Sequence, residues 1–263
     1  MKKTLIAIIL MLATVAALVS CGGNTTDETT TTTTTSKTTT TRQLNNIPVD
    51  DDDDDLTDYT DLFIPYGSAV IDGVREASWD SAAAVALEKV KKGSIPEGVE
   101  VTASAMWDNN AIYFLFEIID PDIYQTGAVG DYNIDGIYLY ISEDIEFMTS
   151  AFADFSNGVY QFALINPELE LIPRHGTESE VQNAQTGYTI TETGMTIEFC
   201  YTPAISPLAP GNFILLDYQY NDAASTGVRN GGLGWYNGSD TNTQTMLWAY
   251  AKLLAQGEQA PKN

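Results

Sequence analysis

Three groups of residues in this sequence have types and spacings that suit chemistry. The first is Asp131-Tyr132-Asn133-Ile134-Asp135-Gly136, in which side-chain oxygens alternate with other residues and a glycine permits a sharp turn. Asp131, Asn133 and Asp135 match the opening half of a calcium-binding loop, where alternate oxygens converge on one ion. The twelfth position is Ser142 rather than a bidentate Glu, and a strand-like run follows, so an EF-hand is excluded. Two readings stand: a Ca²⁺ site of another kind, or a polar turn ahead of a strand. The second group centres on Trp235 in Gly231-Gly232-Leu233-Gly234-Trp235-Tyr236-Asn237-Gly238-Ser239. The glycines and polar residues read as a loop outside the core, and an indole there offers a flat apolar face suited to the C–H face of a pyranose; alternatively it folds back to plug one end of the domain. The third group is the residues that could catalyse, and it is thin. His175 is the sole histidine, no nucleophile elbow, HExxH or phosphate-cradling loop occurs, and no spacing singles out a carboxylate pair. Cys200, in Met195-Thr196-Ile197-Glu198-Phe199-Cys200-Tyr201, reads as a small buried residue rather than a thiol nucleophile.

The elements expected to position these residues are strands. Val99 to Trp107 and Ala111 to Ile119 flank Asp108-Asn109-Asn110 as a hairpin; in its second arm Ile112, Phe114, Phe116 and Ile118 alternate with Tyr113, Leu115 and Glu117. Ile137, Leu139 and Ile141 alternate with Tyr138 and Tyr140, and further strands are read over 158–166, 187–191, 195–202, 212–220 and 245–254. Only Ser78 to Lys92 has helical character. Many strands with short polar turns predict an all-β domain, an antiparallel, jelly-roll-like β-sandwich over 63–255, with a short tail at 256–263.

Charge narrows the partners. The full chain carries −24, and between Phe63 and Ala255 seven basic residues face twenty-five acidic ones. Such a surface repels nucleic acid and anionic headgroups and leaves neutral ligands, cationic groups and Ca²⁺ open. Residues 21–62 hold threonine runs and the acidic run Asp50 to Asp55, which cannot build a core. A flexible coil of that length reaches roughly 35 Å, which suits a spacer.

Met1-Lys2-Lys3 followed by the apolar run Leu5 to Leu18 reads as a signal peptide over residues 1–20, too short for a membrane-spanning helix. Its end, Leu18-Val19-Ser20-Cys21, resembles the lipobox of bacterial lipoproteins. The resemblance implies lipidation at Cys21 (thioether-linked diacylglycerol, with palmitate-type acyl chains), and a position at the extracytoplasmic face of the cell membrane, attached through the lipid alone.

Several segments of the domain resemble family 9 carbohydrate-binding modules: Val70-Ile71-Asp72-Gly73 through Trp79, Met106-Trp107-Asp108 through Asp120-Pro121, Asp135-Gly136-Ile137-Tyr138-Leu139-Tyr140, and Tyr218-Gln219-Tyr220-Asn221-Asp222 with Arg229, Trp235 and Trp248. The resemblance implies a β-sandwich with structural Ca²⁺, binding an oligo- or polysaccharide between two aromatic planes and without catalysis. Trp235 matches one plane and Tyr132 stands at the other; Asn221, Asp222 and Arg229 match polar positions near the site. Tyr138 stands where the family has a Glu, and Ala163 where an Arg is expected, so ligand contact at Tyr138 would be of a different kind. The alternatives are a surface scaffold that kept the sandwich without the sugar site, and a haem-binding domain, which would need His175 with Met106 or Met195.

Overall fold

The computed structural model describes residues 59–125, 133–149, 153, 155–156, 158–165, 173–175, 182–224, 227–239 and 244–261, with the backbone alone at 173–175 and 182. The expectations for the signal segment, Cys21, the spacer as far as residue 58, Asp131 and Tyr132 lie outside the described residues, whereas Leu62, read as the end of the spacer, is buried in the first strand of the domain. No helix among the described residues is long and apolar enough to cross a membrane.

Thirteen strands are described: β1 (Leu62–Ile64), β2 (Ala83–Ala86), β3 (Lys89–Gly93), β4 (Glu100–Trp107), β5 (Ile112–Ile119), β6 (Gly136–Ser142), β7 (Val159–Ile165), β8 (Pro173–His175), β9 (Gln182–Thr191), β10 (Gly194–Thr202), β11 (Phe213–Ala224), β12 (Val228–Gly234) and β13 (Ala249–Leu253). They form two sheets. The smaller runs β2-β4-β5-β10-β9; the larger runs β1-β13-β11-β6-β7-β8, with β12 on β11 and β3 on β12. Strand pairs are antiparallel except β1 with β13. The expected hairpin is β4–β5, with Trp107 opposite Ile112. Asp108 closes its turn, accepting from Asn110 N and Ala111 N on one oxygen and from Tyr113 Oη on the other.

Period-two alternation sends one set of side chains into the space between the sheets. Phe114 and Phe116 of β5, Phe199 and Tyr201 of β10, Tyr160 and Phe162 of β7 and Tyr218 of β11 fill it. Ring centroids lie 4.9 Å apart for Phe162–Phe199 and 5.6 Å for Phe116–Tyr218, the spacing at which aromatic pairs add to simple burial. The outer face of the smaller sheet is covered by the segment entering from residue 67. Glu198, fully buried, accepts from Trp79 Nε1, Asp72 N and Gly73 N. Gly73 sits at φ +84°, and a Cβ there would meet the Tyr188 backbone at 2.4 Å, so the Asp-Gly pair is needed for the crossing. Cys200 is buried in this layer beside Trp79 and Tyr113, as a small core residue.

Two local expectations are corrected. Ser78 to Lys92 is not helical: a 3₁₀ turn over Ala77–Ser81 leads into β2 and β3. Ala83 and Val85 are half-buried and alternate with exposed Ala84 and Ala86 across β2, and the partner strand overrides the alanines' helical propensity. The glycine stretch before Trp235 is strand β12, not loop. Glycine there leaves room for other side chains, and this is visible only once its neighbours are known.

Candidate functional site

Strand β11 is the spine of the larger sheet, and the residues expected to bind ligand distribute around it. Tyr218 and Tyr220 point into the core, while Asp217, Gln219 and Asn221 point to the outer face. Across the sheet Gln219 stands opposite Tyr138 of β6, and Tyr138 opposite Ala163 of β7. The two departures from the family pattern, Tyr138 and Ala163, are thus direct cross-strand neighbours: a large ring over a methyl group in one packed layer. Tyr138 is fully buried there with Tyr140, Leu215, Trp248 and Tyr250. Gln161 donates from Nε2 to Tyr140 Oη at 3.0 Å, and Gln219 Nε2 to Asn221 Oδ1 at 2.9 Å. Asn221 is fully buried, and its Nδ2 has no hydrogen-bond partner. A buried donor left so is rare and costs about 1–3 kcal/mol.

Arg229, half-buried on β12, lies over this row. Its Nε donates to Gly231 O at 3.2 Å, and its Nη2 lies 2.8 Å from where a Cβ on Gly232 would be, with Asn221 Oδ1 at 3.7 Å from the same point. Gly232 therefore makes the space the guanidinium occupies. Trp235 follows β12 directly. Its ring is half-buried and stacks on Tyr218 at 5.2 Å and 30°, with Tyr236 tilted against it at 5.8 Å. Trp79, Trp107 and Trp248 are buried, so Trp235 is the one tryptophan that keeps a solvent-facing surface. The structure thus brings Tyr138, Asn221 and Arg229 together on the outer face, whereas Trp235 lies against Tyr218, at the edge of the core.

Asp222 goes elsewhere. With Asp120, just after β5, and Asp135, just before β6, it forms a buried group whose carboxylate oxygens all lie within 4.8 Å of one another. Asp120 accepts from Tyr220 Oη at 2.7 Å and from Asp122 N at 2.9 Å. Asp135 accepts from Tyr124 N and Ala223 N, and Asp222 Oδ2 is buried without a partner. Burial, opposed by its two backbone donors and reinforced by Asp120 and Asp222, pushes the Asp135 carboxyl up to about 7. Burial and the neighbouring acids push Asp222 up to about 6. Tyr220 is raised by burial and by the same carboxylates. Three converging carboxylates, one with an unmatched oxygen, fit a hard divalent cation with oxygen ligands such as Ca²⁺. Of the motif that suggested a cation, Asp135 joins this group, whereas the Asn133 side chain accepts from Arg229 N at 3.3 Å. Asp120 was legible in sequence only as the end of the family-like segment that closes at Asp120-Pro121; nothing local linked it to a residue a hundred positions away. His175 lies in β8, opposite Gln161.

The fold is a two-sheet β-sandwich with β11 at the centre of its larger sheet. Residues 71–255 match the carbohydrate family 9 binding domain-like family, and the chain belongs to it. An exoglucanase XynX of Acetivibrio thermocellus is 24% identical over 193 residues, covering 73% of this chain and 17% of its own length. An endo-1,4-beta-xylanase A of Thermoanaerobacterium saccharolyticum is 23% identical over 194 residues, covering 73% and 16%. This chain therefore spans about a sixth of the length of these curated relatives. Among solved structures, a family 9 carbohydrate-binding module of Caldicellulosiruptor kristjanssonii in complex with cellotriose superposes with a TM-score of 0.63 at 20% identity, covering 77% of this chain and 98% of that one. Its glucose complex gives 0.62 at 19% identity, covering 76% and 99%.

Proposed function

We propose that this chain is a non-catalytic carbohydrate-binding lipoprotein that captures oligo- or polysaccharide at the cell surface. In this reading Cys21 carries the lipid, the residues between it and β1 hold the domain away from the extracytoplasmic face of the membrane, and nucleic acid is no partner of so acidic a surface. The observation that carries the reading is Trp235: a partly exposed indole, backed by Tyr218 and already oriented, on a domain of a carbohydrate-binding family. A platform fixed before binding loses little entropy when a sugar stacks on it. Arg229 is the half-buried polar group that reaches ligand, with Asn221, Gln219 and Tyr138 supporting it from beneath. Tyr132 is the expected second plane.

We further propose that Asp120, Asp135 and Asp222 hold a structural Ca²⁺. The ion would offset the carboxylates' repulsion and tie the ends of β5, β6 and β11 together.

The test is titration of cellotriose and cellohexaose by calorimetry. Binding that strengthens with chain length and is lost in Trp235→Ala with an unchanged melt is the expected result; undiminished binding by Trp235→Ala refutes the platform. The second reading, a surface scaffold without a sugar site, is favoured by the sealed Tyr138–Ala163 layer. A blank glycan titration together with a co-purifying protein would select it.

A further inference from the structure

We propose that Asp217, with Lys91 as its counter-ion, is the positioning residue of the Trp235 loop. This rests on the reading of Trp235 as the ligand platform. Along one edge of β11 two strands follow each other: β13 pairs with Phe213 to Leu216, and β12 with Gln219 to Ala224. Between them, at Asp217 and Tyr218, the chain leaves β12 at Gly234 and later returns into β13 at Ala249, so the ladder is interrupted. Trp235 N still reaches Tyr218 O at 3.1 Å. The next two amides turn instead to the Asp217 carboxylate, Tyr236 N to Oδ1 at 3.0 Å and Asn237 N to Oδ2 at 3.3 Å, while Tyr218 N takes Oδ1 at 2.9 Å. A side chain thus replaces the missing strand where the stacking residue departs.

Lys91 of edge strand β3 completes the device. Its Nζ lies 3.7 Å from Asp217 Oδ2, and both side chains are wholly inaccessible. A Cβ on Gly234 would lie 2.4 Å from Lys91 Cδ, so β12 must carry glycine there for the lysine stem to pass. Burial pushes the Asp217 carboxyl up, and Lys91 and the backbone donors pull it down. Buried ion pairs seldom stabilise better than apolar residues of the same size, so their use in fixing one geometry is the stronger reason for a pair here. Tyr236 is held at two further points: its carbonyl accepts from Lys89 Nζ, and its hydroxyl donates to Asp61 Oδ1 at 3.1 Å. Trp235, between Tyr218 and Tyr236, inherits the orientation these contacts set.

The experiment compares the full chain with Asp217→Asn, Lys91→Met and Lys91→Arg by amide exchange, acrylamide quenching and cellohexaose titration. Quenching reports on Trp235 because the other three tryptophans are buried. In Asp217→Asn the Tyr236 and Asn237 amides should exchange at least tenfold faster, one tryptophan should become more quenchable, and cellohexaose should bind at least tenfold more weakly. Lys91→Met should do the same more mildly, and Lys91→Arg should restore loop order. Unchanged exchange and quenching in Asp217→Asn overturn the proposal, as does a loss of protection spread evenly over all strands. If wild type binds no cellohexaose but Asp217→Asn loosens the loop, the platform reading fails and the positioning role stands. If Asp217→Asn does not fold, wild type decides: Tyr236 and Asn237 protected like β12 support the role, and fast exchange overturns it.

Discussion

Asp135→Asn isolates the acidic group at the ends of β5, β6 and β11. Asp135 is raised from 3.8 to about 7 in the folded domain. A carboxyl with a raised folded value is bound more tightly by a proton in the native state than in the unfolded chain. Its contribution therefore favours folding as pH falls through about 7 and reaches its full extent only below the unfolded value. Between pH 7, where the folded group is half protonated, and pH 5, where it is almost fully so, a single such group changes stability by roughly 2 kcal/mol. For a domain of this size that is about 4–8 °C in Tm. In EDTA, the wild type should gain this much relative to Asp135→Asn on going from pH 7 to pH 5, since the amide does not titrate. Saturating Ca²⁺ should remove the difference in trend, because ion and protons compete for the same oxygens. Thermal melts of both proteins at several pH values, with EDTA and with Ca²⁺, read all of this directly. A wild type that loses stability relative to Asp135→Asn over that interval in EDTA refutes the reasoning about the cluster. Equal pH trends with and without Ca²⁺ refute the cation.

Two further expectations concern the core and the anchor. Phe199 is fully buried between Phe114, Phe162 and Tyr201, so Phe199→Ala should cost about 3–5 kcal/mol, seen as a lower urea midpoint with an unchanged slope. Cys21→Ser should move the protein from the membrane fraction to the soluble fraction while leaving cellohexaose binding by the domain intact; retention in the membrane would refute the lipid anchor.

The motif residues that are legible in the sequence are mostly those that build the sandwich. Alternation in β5 and β6 announces itself because their two faces pack into different layers: Phe114, Phe116, Ile137, Leu139 and Ile141 into the space between the sheets, Tyr113, Leu115, Tyr138 and Tyr140 into the layers outside it. Asp108 is legible because its bonds are local, to residues two, three and five positions on. Asp72-Gly73 and Trp79 are recognisable as a motif, but their meaning depends on Glu198, more than a hundred residues away. The same limit explains the acidic group. A loop pattern found Asp135 and supplied Asp131 and Asn133 as partners, because a sequence pattern sees neighbours along the chain. The fold brings Asp120 and Asp222 to Asp135 and turns Asn133 to Arg229 N, because strand ends meet where loops converge.

Strand β12 illustrates the harder case. Gly231, Gly232 and Gly234 read as a flexible loop because glycine disfavours strands, yet their missing side chains are what the neighbouring residues use. Gly232 admits Arg229 and Gly234 admits Lys91, and Lys91 in turn holds Asp217 beneath the Trp235 loop. The chain thus spends its glycines on placing one arginine and one buried lysine beside an indole. The Tyr138–Ala163 exchange alters the layer beneath without touching that strand. Substitutions on β6 and β7 can therefore remodel that layer while β12 keeps Trp235 in place, and the fold itself is shared with solved structures at about 20% identity.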